Sequence, residues 1–229
     1  MPTVAITGAA GAIGSVTAEV FADAGWTLVL LDYGEENGER LRDQFPDAHV
    51  YTGDLTDTDA AQKVFDAAQE DAGGLDAVLS IAGGFSMQPA VDATQEDADK
   101  MMALNFQTLF QTARAAVPHL LEQEQAFFLG VSAPAAEDGG AGAALYAASK
   151  GAVAAYVKSL DAEYAEDGLR ASVLYPMGVV DTPDNRDAMP DSDPDTWIAP
   201  RQLAEGMLYL ATRSHQGHVK TLKVHASTS

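Results

Sequence analysis

The 229 residues carry 13 Lys plus Arg against 34 Asp plus Glu, a formal net charge of −21 at pH 7. That charge repels nucleic acid and anionic lipid, and neither is expected as a partner. Apolar residues make up 47% of the chain, enough for a substantial core and too many for a disordered protein, while the absence of Cys removes disulfides and thiolate metal ligands.

Short apolar, β-rich runs alternate with segments of helical period. "TVAIT" at 3–7 reads as a strand, followed by a helix in which Ile13, Val16, Val20 and Phe21 share a face and Gly25 ends the last turn. "TLVLLD" at 27–32 and "HVYTGD" at 49–54 are the second and third strands, and an Ala- and acid-rich helix follows from about Asp57 to Asp71. "LDAVLSIAGG" at 75–84 is a fourth strand. A long helical pattern then runs from about Glu96 to Gln123, with Pro118 kinking it or marking its last turns. "QAFFLGVS" at 125–132, a helix from Ala143 to Glu166, "LRASVLY" at 169–175, a helix from Arg201 to Ala211 and "VKTLKVH" complete the pattern. Parallel strands need crossovers, and runs such as "TLVLLD" are apolar at consecutive positions because both faces are covered. One α/β domain over residues 1–229 is expected, a doubly wound parallel sheet of about seven strands with helices on both faces.

The acids are scattered ("DQFPDAHVYTGDLTDTD", "DAMPDSDPD") and fit either an ordinary solvated surface or adaptation to a salty cytoplasm, which is the expectation carried forward. After Met1, "PTVAITG" has neither a basic region nor a long apolar run, and no window is apolar enough to span a membrane. A cytoplasmic location is therefore expected.

The first strand-to-helix junction reads "TGAAGAIG". Gly8, Gly11 and Gly14 leave the backbone bare where a pyrophosphate must approach a helix N-terminus. Asp32 closes the second strand, where a carboxylate accepts from ribose hydroxyls and repels a 2′-phosphate; NAD(H) is thus expected over NADP(H), and no Arg or Lys precedes Arg40. In "YAASK", Tyr146 and Lys150 stand one helical turn apart on one face. An ammonium beside a phenol favours the phenolate, so Tyr146 is expected to have a lowered pKa and to act as proton donor or acceptor.

These stretches, with "LDY", "GDLTD", "IAGG", Asn105 in "MMALNFQT" and "MGVVDTP", make the chain resemble the short-chain dehydrogenase/reductase family over essentially its whole length. The resemblance implies hydride transfer at a nicotinamide in a Rossmann-type homodimer or homotetramer. It adds Ala12 and Ile13 to the glycine cradle and Tyr33 to Asp32, and sets Asp54 and Leu55 beside the adenine. It lines the cofactor ribose with Ala82, Gly83 and Gly84, and brings Gly178, Val180 and Thr182 to the carboxamide and pyrophosphate. Lys150 would hold the nicotinamide ribose, and Asn105 would order a water linking it to solvent.

Three features depart from the family pattern. The glycines are spaced TGxxGxxG, "SIAG" replaces NNAG, and the serine expected thirteen residues before Tyr146 is Ala133. Ser132 is adjacent and is the candidate supporting hydroxyl, although on a strand it faces the other way unless a bulge turns it. With "DTPDNRDAMPDSDPDTW" at 181–197, these departures resemble the dihydropteridine reductase branch, which implies reduction of quinonoid dihydropterin by NADH. The alternatives are a carbonyl or hydroxy dehydrogenase such as a 3-oxoacyl reductase, and a dinucleotide sensor without catalysis. Residues 183–198 are expected to form a lid bearing Met189 and Trp197, or a loop packed on its own Trp. "HQGH", with His215 and His218, reads as a solvated turn, Met101 and Met102 as core, and no metal is expected.

Overall fold

The computed structural model describes residues 1–226. Seven parallel strands form one sheet in the order β3-β2-β1-β4-β5-β6-β7. They are β1 (Thr3–Thr7), β2 (Thr27–Asp32), β3 (His49–Thr52), β4 (Ala77–Ser80), β5 (Ala126–Val131), β6 (Leu169–Met177) and β7 (Thr221–His225). The nine helices among the described residues are α1 (Ala12–Asp23), α2 (Glu35–Gln44), α3 (Thr58–Ala72), α4 (Gln95–Met102), α5 (Thr108–Leu120), α6 (Ala135–Asp138), α7 (Ala144–Tyr164), α8 (Pro183–Ala188) and α9 (Pro200–Ala211).

The central strands β1, β4 and β5 are buried along their whole length, which is why their sequences are apolar without alternation. On one face, Phe65 of α3, Leu109 and Leu120 of α5 and Val153 and Val157 of α7 cover the sheet. On the other, Phe21 of α1, Leu41 of α2 and Leu203 and Met207 of α9 do so. The chain winds outward from β1 through β2 to β3, then crosses back to β4 on the other side of β1. That reversal opens a crevice at the C-terminal ends of β1 and β4, where ligands of such sheets bind.

Several expectations are corrected. The fourth strand ends at Ser80, so Gly83 and Gly84 belong to the loop that follows it. The helix expected over 96–123 is split by a π-helical turn, Ala103–Gln107, while Pro118 sits in the final turn of α5. Helix α2 was not anticipated, because in "EENGERLRDQ" only Gly38 and Leu41 are buried and no apolar period exists. Met101 is core, but Met102 is 38% exposed. No helix among the described residues is long and apolar enough to cross a membrane.

Candidate active site

The cradle follows from three glycines. Gly8 has φ +68°, and a Cβ there would lie 2.9 Å from the Cα of Ala82. A Cβ on Gly14 would lie 2.1 Å from the carbonyl oxygen of Gly8, so only glycine fits. Gly11 caps α1, and the first intrahelical bond is Ser15 N–H to the Gly11 carbonyl, at 2.9 Å. The amides of Ala12, Ile13 and Gly14 thus belong to the first turn, whose N–H groups have no carbonyl within the helix to serve them. Bare backbone, close approach and a helix N-terminus fit a pyrophosphate.

At the adenosine end, Asp32 accepts from Ala10 N–H (2.8 Å), Tyr33 N–H (2.8 Å) and Asn37 Nδ2 (2.9 Å). A carboxylate has about four acceptor positions, which leaves room for a ribose hydroxyl. Arg40, distant in sequence, reaches over this corner: its Nη2 donates to the Ala10 carbonyl at 2.6 Å and to Asn37 Oδ1 at 3.2 Å. Arg40 thus bonds the same two residues that bond Asp32, without an ion pair to Asp32 itself. Tyr33 is exposed, and Asp54 accepts from Thr56 in a local turn. Leu55 buries its side chain in the core with Phe65.

At the catalytic end, Asn105 is locked on all sides. Its Oδ1 accepts from Gly84 N–H at 3.0 Å, and its Nδ2 donates to the Gly84 carbonyl (3.0 Å) and to Ser149 Oγ (3.1 Å). The π turn presents this residue, as such turns often do at functional sites. Asn105 thereby joins the loop after β4 to α7 through its side-chain amide.

Lys150 is buried and donates from Nζ to the Val131 carbonyl at the end of β5, 2.9 Å away. Both Asn105 Oδ1 and Lys150 Nζ crowd Gly83, lying 2.5 and 3.1 Å from where a Cβ would sit. Burial lowers the Lys150 pKa to about 8 and raises that of Tyr146 to about 12. The sign for Tyr146 is the reverse of the sequence expectation: desolvation dominates, and the protein bond of Lys150 is to Val131. Tyr146 in this state is a firmly protonated acid.

Ser132 is 2% exposed and donates to the Lys150 carbonyl at 2.9 Å. Its hydroxyl braces α7 and is withdrawn from the role of polarising a substrate; Ala133 supplies no hydroxyl in its place. Gly178 packs on Ala226, while Val180 pairs with Ile198 in an isolated parallel bridge and accepts from Asn185 Nδ2. Thr182 Oγ1 caps α8 through Asn185 N–H. The lid region is thus a short helix pinned at its base, with Met189 and Trp197 half-buried.

Sequence reasoning missed Phe85, whose ring meets that of Tyr146 at 4.8 Å and 87°. It also missed Ser149, the partner of Asn105, whose only sequence signal is its position beside Lys150. "HQGH" is likewise more than a solvated turn. Buried Asp161 accepts from His218 Nε2 (2.7 Å), Lys220 Nζ (2.8 Å) and Ala171 N–H (3.0 Å). Burial opposes the Asp161 charge, but these bonds overcome it and hold the carboxyl below its usual range. No group of three or more metal-ligating side chains occurs among the described residues.

A doubly wound sheet with a glycine cradle at its switch point and a Tyr/Lys pair beside it defines a Rossmann-type oxidoreductase. The chain belongs to the short chain dehydrogenase family, whose pattern matches residues 2–193. It is 31% identical over 198 residues to the oxidoreductase UcpA of Salmonella typhimurium, covering 84% of this chain and 74% of that one. It is 26% identical over 221 residues to an uncharacterized oxidoreductase of Staphylococcus aureus, covering 96% and 94%. In fold it matches the 3-ketoacyl-(acyl-carrier-protein) reductase of Brucella melitensis complexed with NADH. The TM-score is 0.86 at 24% identity, over 98% of this chain and 96% of that one.

Proposed function

We propose that the chain is an NAD(H)-linked oxidoreductase that reduces a carbonyl carbon, or oxidises the corresponding alcohol, with Tyr146 as the proton donor or acceptor. The observation that carries this reading is the convergence of Tyr146, buried Lys150 and the Asn105–Gly84 lock at the crevice that also holds the glycine cradle. A bound nicotinamide supplies or accepts the hydride. Tyr146 would give the proton to the developing alkoxide and Lys150 would support the resulting phenolate by its charge; Lys150 is also the residue that would hold the cofactor ribose. Asn105 holds the loop after β4 in register with α7. The kinship with oxidoreductases, one structural relative being named a 3-ketoacyl reductase, favours the carbonyl reading over a pterin. Intact Tyr146, Lys150 and Asn105 disfavour a non-catalytic sensor, which needs no proton path.

Quinonoid dihydropterin remains a second reading because of Ala133. With Ser132 tied to Lys150, no serine polarises the substrate, and a conjugated imine that already accepts hydride readily needs none. The deciding experiment is NADH oxidation with chemically generated quinonoid dihydropterin, set against a panel of ketones and aldehydes. Turnover of the ketones alone supports the carbonyl reading, and turnover of the pterin alone replaces it.

For the cofactor, Asp32 supports NAD(H), while Arg40 beside it tempers the discrimination against a 2′-phosphate. Asp32→Ala should narrow the NADH-over-NADPH preference by about tenfold or more, and Arg40→Ala should widen it. A homodimer or homotetramer is proposed from the half-buried aromatic cluster of Phe106 on the π turn, Phe110 on α5 and Tyr156 on α7, and sedimentation equilibrium tests it. A cytoplasmic, salt-adapted setting is proposed from the acidic composition.

A further inference from the structure

The exposed apolar side chains are not spread evenly over this acidic protein. Of eight large hydrophobic side chains with high exposure among the described residues, five fall within residues 85–104: Phe85, Met87, Val91, Met102 and Leu104. They lie on the loop after β4 and on α4 and the π turn, which flank the crevice. Phe85 is 60% exposed although its ring touches Tyr146, and Met87 is 61% exposed although its Cε lies 3.4 Å from the place of a Cβ on Gly142. The loop is also fastened: Gln88 N–H donates to the Gly142 carbonyl at 2.8 Å, and Gly84 is bonded twice to Asn105. An apolar surface held in place against the acid that protonates the product needs a ligand to cover it.

Charge narrows the ligand further. In the segments beyond β5 and β6, which surround the same end of the sheet, Glu137 is paired with Lys223 and Arg186 with Asp181, and Asp138 on α6 and Asp184, Asp187, Asp191 and Asp193 on the lid remain in excess. They repel a phosphate, a carboxylate or an acidic carrier protein.

We propose that Phe85 and Met87 form the subsite for the body of the substrate, and that this body is flat, apolar and uncharged. The proposal rests on the oxidoreductase reading above and adds the class of substrate. Phe85 is then a specificity-determining residue: it offers an aromatic ring beside Tyr146 and places the reacting carbon within reach of the phenol. The crowding of Leu104 on Gly84, where a Cβ would come within 3.0 Å of Leu104 Cδ1, ties this subsite to the loop that Asn105 locks.

The test is a ketone series with growing flat area (acetone, acetophenone, 2-acetonaphthone), run beside dihydroxyacetone and the anion acetoacetate. With NADH, kcat/KM should rise about tenfold or more at each added ring. Phe85→Ala should compress that series about tenfold, mainly through KM, and Met87→Gln should compress it in the same direction. In parallel, calorimetry measures binding of 1-(2-naphthyl)ethanol to the protein with NAD+, and its Kd should weaken about tenfold in Phe85→Ala. Preference for dihydroxyacetone or acetoacetate, or a series and a Kd unchanged in both variants, overturns the proposal while leaving the oxidoreductase reading intact. Failure to bind either dinucleotide sinks that reading instead, and the naphthyl probe, titrated alone, then decides whether the apolar subsite exists.

Discussion

Replacing Lys150 by methionine keeps most of the side-chain volume and removes an ammonium whose pKa burial lowers from 10.5 to about 8. Below pH 8 the group is charged in both folded and unfolded chains, so the fold bears the whole cost of desolvating it. Between about 8 and 10.5 the folded chain has released a proton that the unfolded chain still binds, and stability therefore rises with pH. The full span, at about 1.4 kcal/mol per tenfold, amounts to about 3 kcal/mol. Lys150→Met lacks this dependence but also loses the bond to Val131, worth about 1.5–3 kcal/mol for a charged donor, so at neutral pH the two chains should be similar in stability. Urea unfolding of both chains at about pH 7, 8, 9 and 10 cancels the titrations they share. The difference should move by about 2–3 kcal/mol in favour of the wild type across that range. A difference flat to within about 0.5 kcal/mol would refute the reasoning, because Lys150 would then keep its ordinary proton affinity despite its burial. Turnover should run the opposite way, with kcat/KM for reduction falling above about pH 8 as the ammonium is lost.

Four other perturbations follow from the geometry. Asn105→Ala strands both polar groups of Gly84 and removes one donor from the Ser149 hydroxyl, which keeps its bond to the Tyr146 carbonyl; it should cost about 2–4 kcal/mol in urea unfolding together with a fall in kcat. Gly14→Ala forces a methyl group against the Gly8 carbonyl and should weaken NADH binding about 100-fold or more by fluorescence titration, with unchanged affinity counting against the cradle. Ala133→Ser should raise kcat/KM for simple ketones about tenfold by restoring a second donor, and no gain would show that Tyr146 alone suffices. The melting temperature should climb with KCl toward molar salt, where the Debye length falls to about 3 Å; a flat profile would argue for an ordinary acidic surface.

The parts that could be read from the sequence are those whose cause is local. A glycine trio at a strand end, consecutive apolar residues in buried strands and a Tyr/Lys pair one turn apart each follow from neighbours along the chain. What escaped depends on residues far apart in sequence. The Tyr146 shift had the wrong expected sign because burial by residues from other elements, Phe85 among them, raises its pKa, and the Lys150 ammonium bonds the Val131 carbonyl, a partner that no side-chain pattern announces. Arg40 looked remote from Asp32, yet α2 carries it back over Ala10, and α2 itself went unseen because Leu41 is its only large buried side chain. His218 looked solvated, since its partner Asp161 lies 57 residues earlier. The π turn was invisible for a similar reason: the contacts of Asn105 with Gly84 and Ser149 accompany it, and no local propensity signals it.

The burial of Lys150 follows from how tightly α7 packs on the sheet. A Cβ on Gly130 of β5 would fall 2.7 Å from Val157 and 2.8 Å from Leu109, so α5 and α7 lie hard against the sheet at that point. The side chains at that contact are Val153, Val157 and Leu109, which the bare backbone of Gly130 admits, while most alanines of α7 are exposed or half-buried and serve the helix itself. The same closeness takes Lys150 out of water and places its Nζ at the end of β5, where only a backbone carbonyl is available. A helix with bulkier residues would stand off from the sheet, admit solvent and return Lys150 toward its ordinary pKa. Ala154 is the one buried alanine of α7, and enlarging it, Ala154→Leu, should raise the Lys150 pKa as well as strain the core.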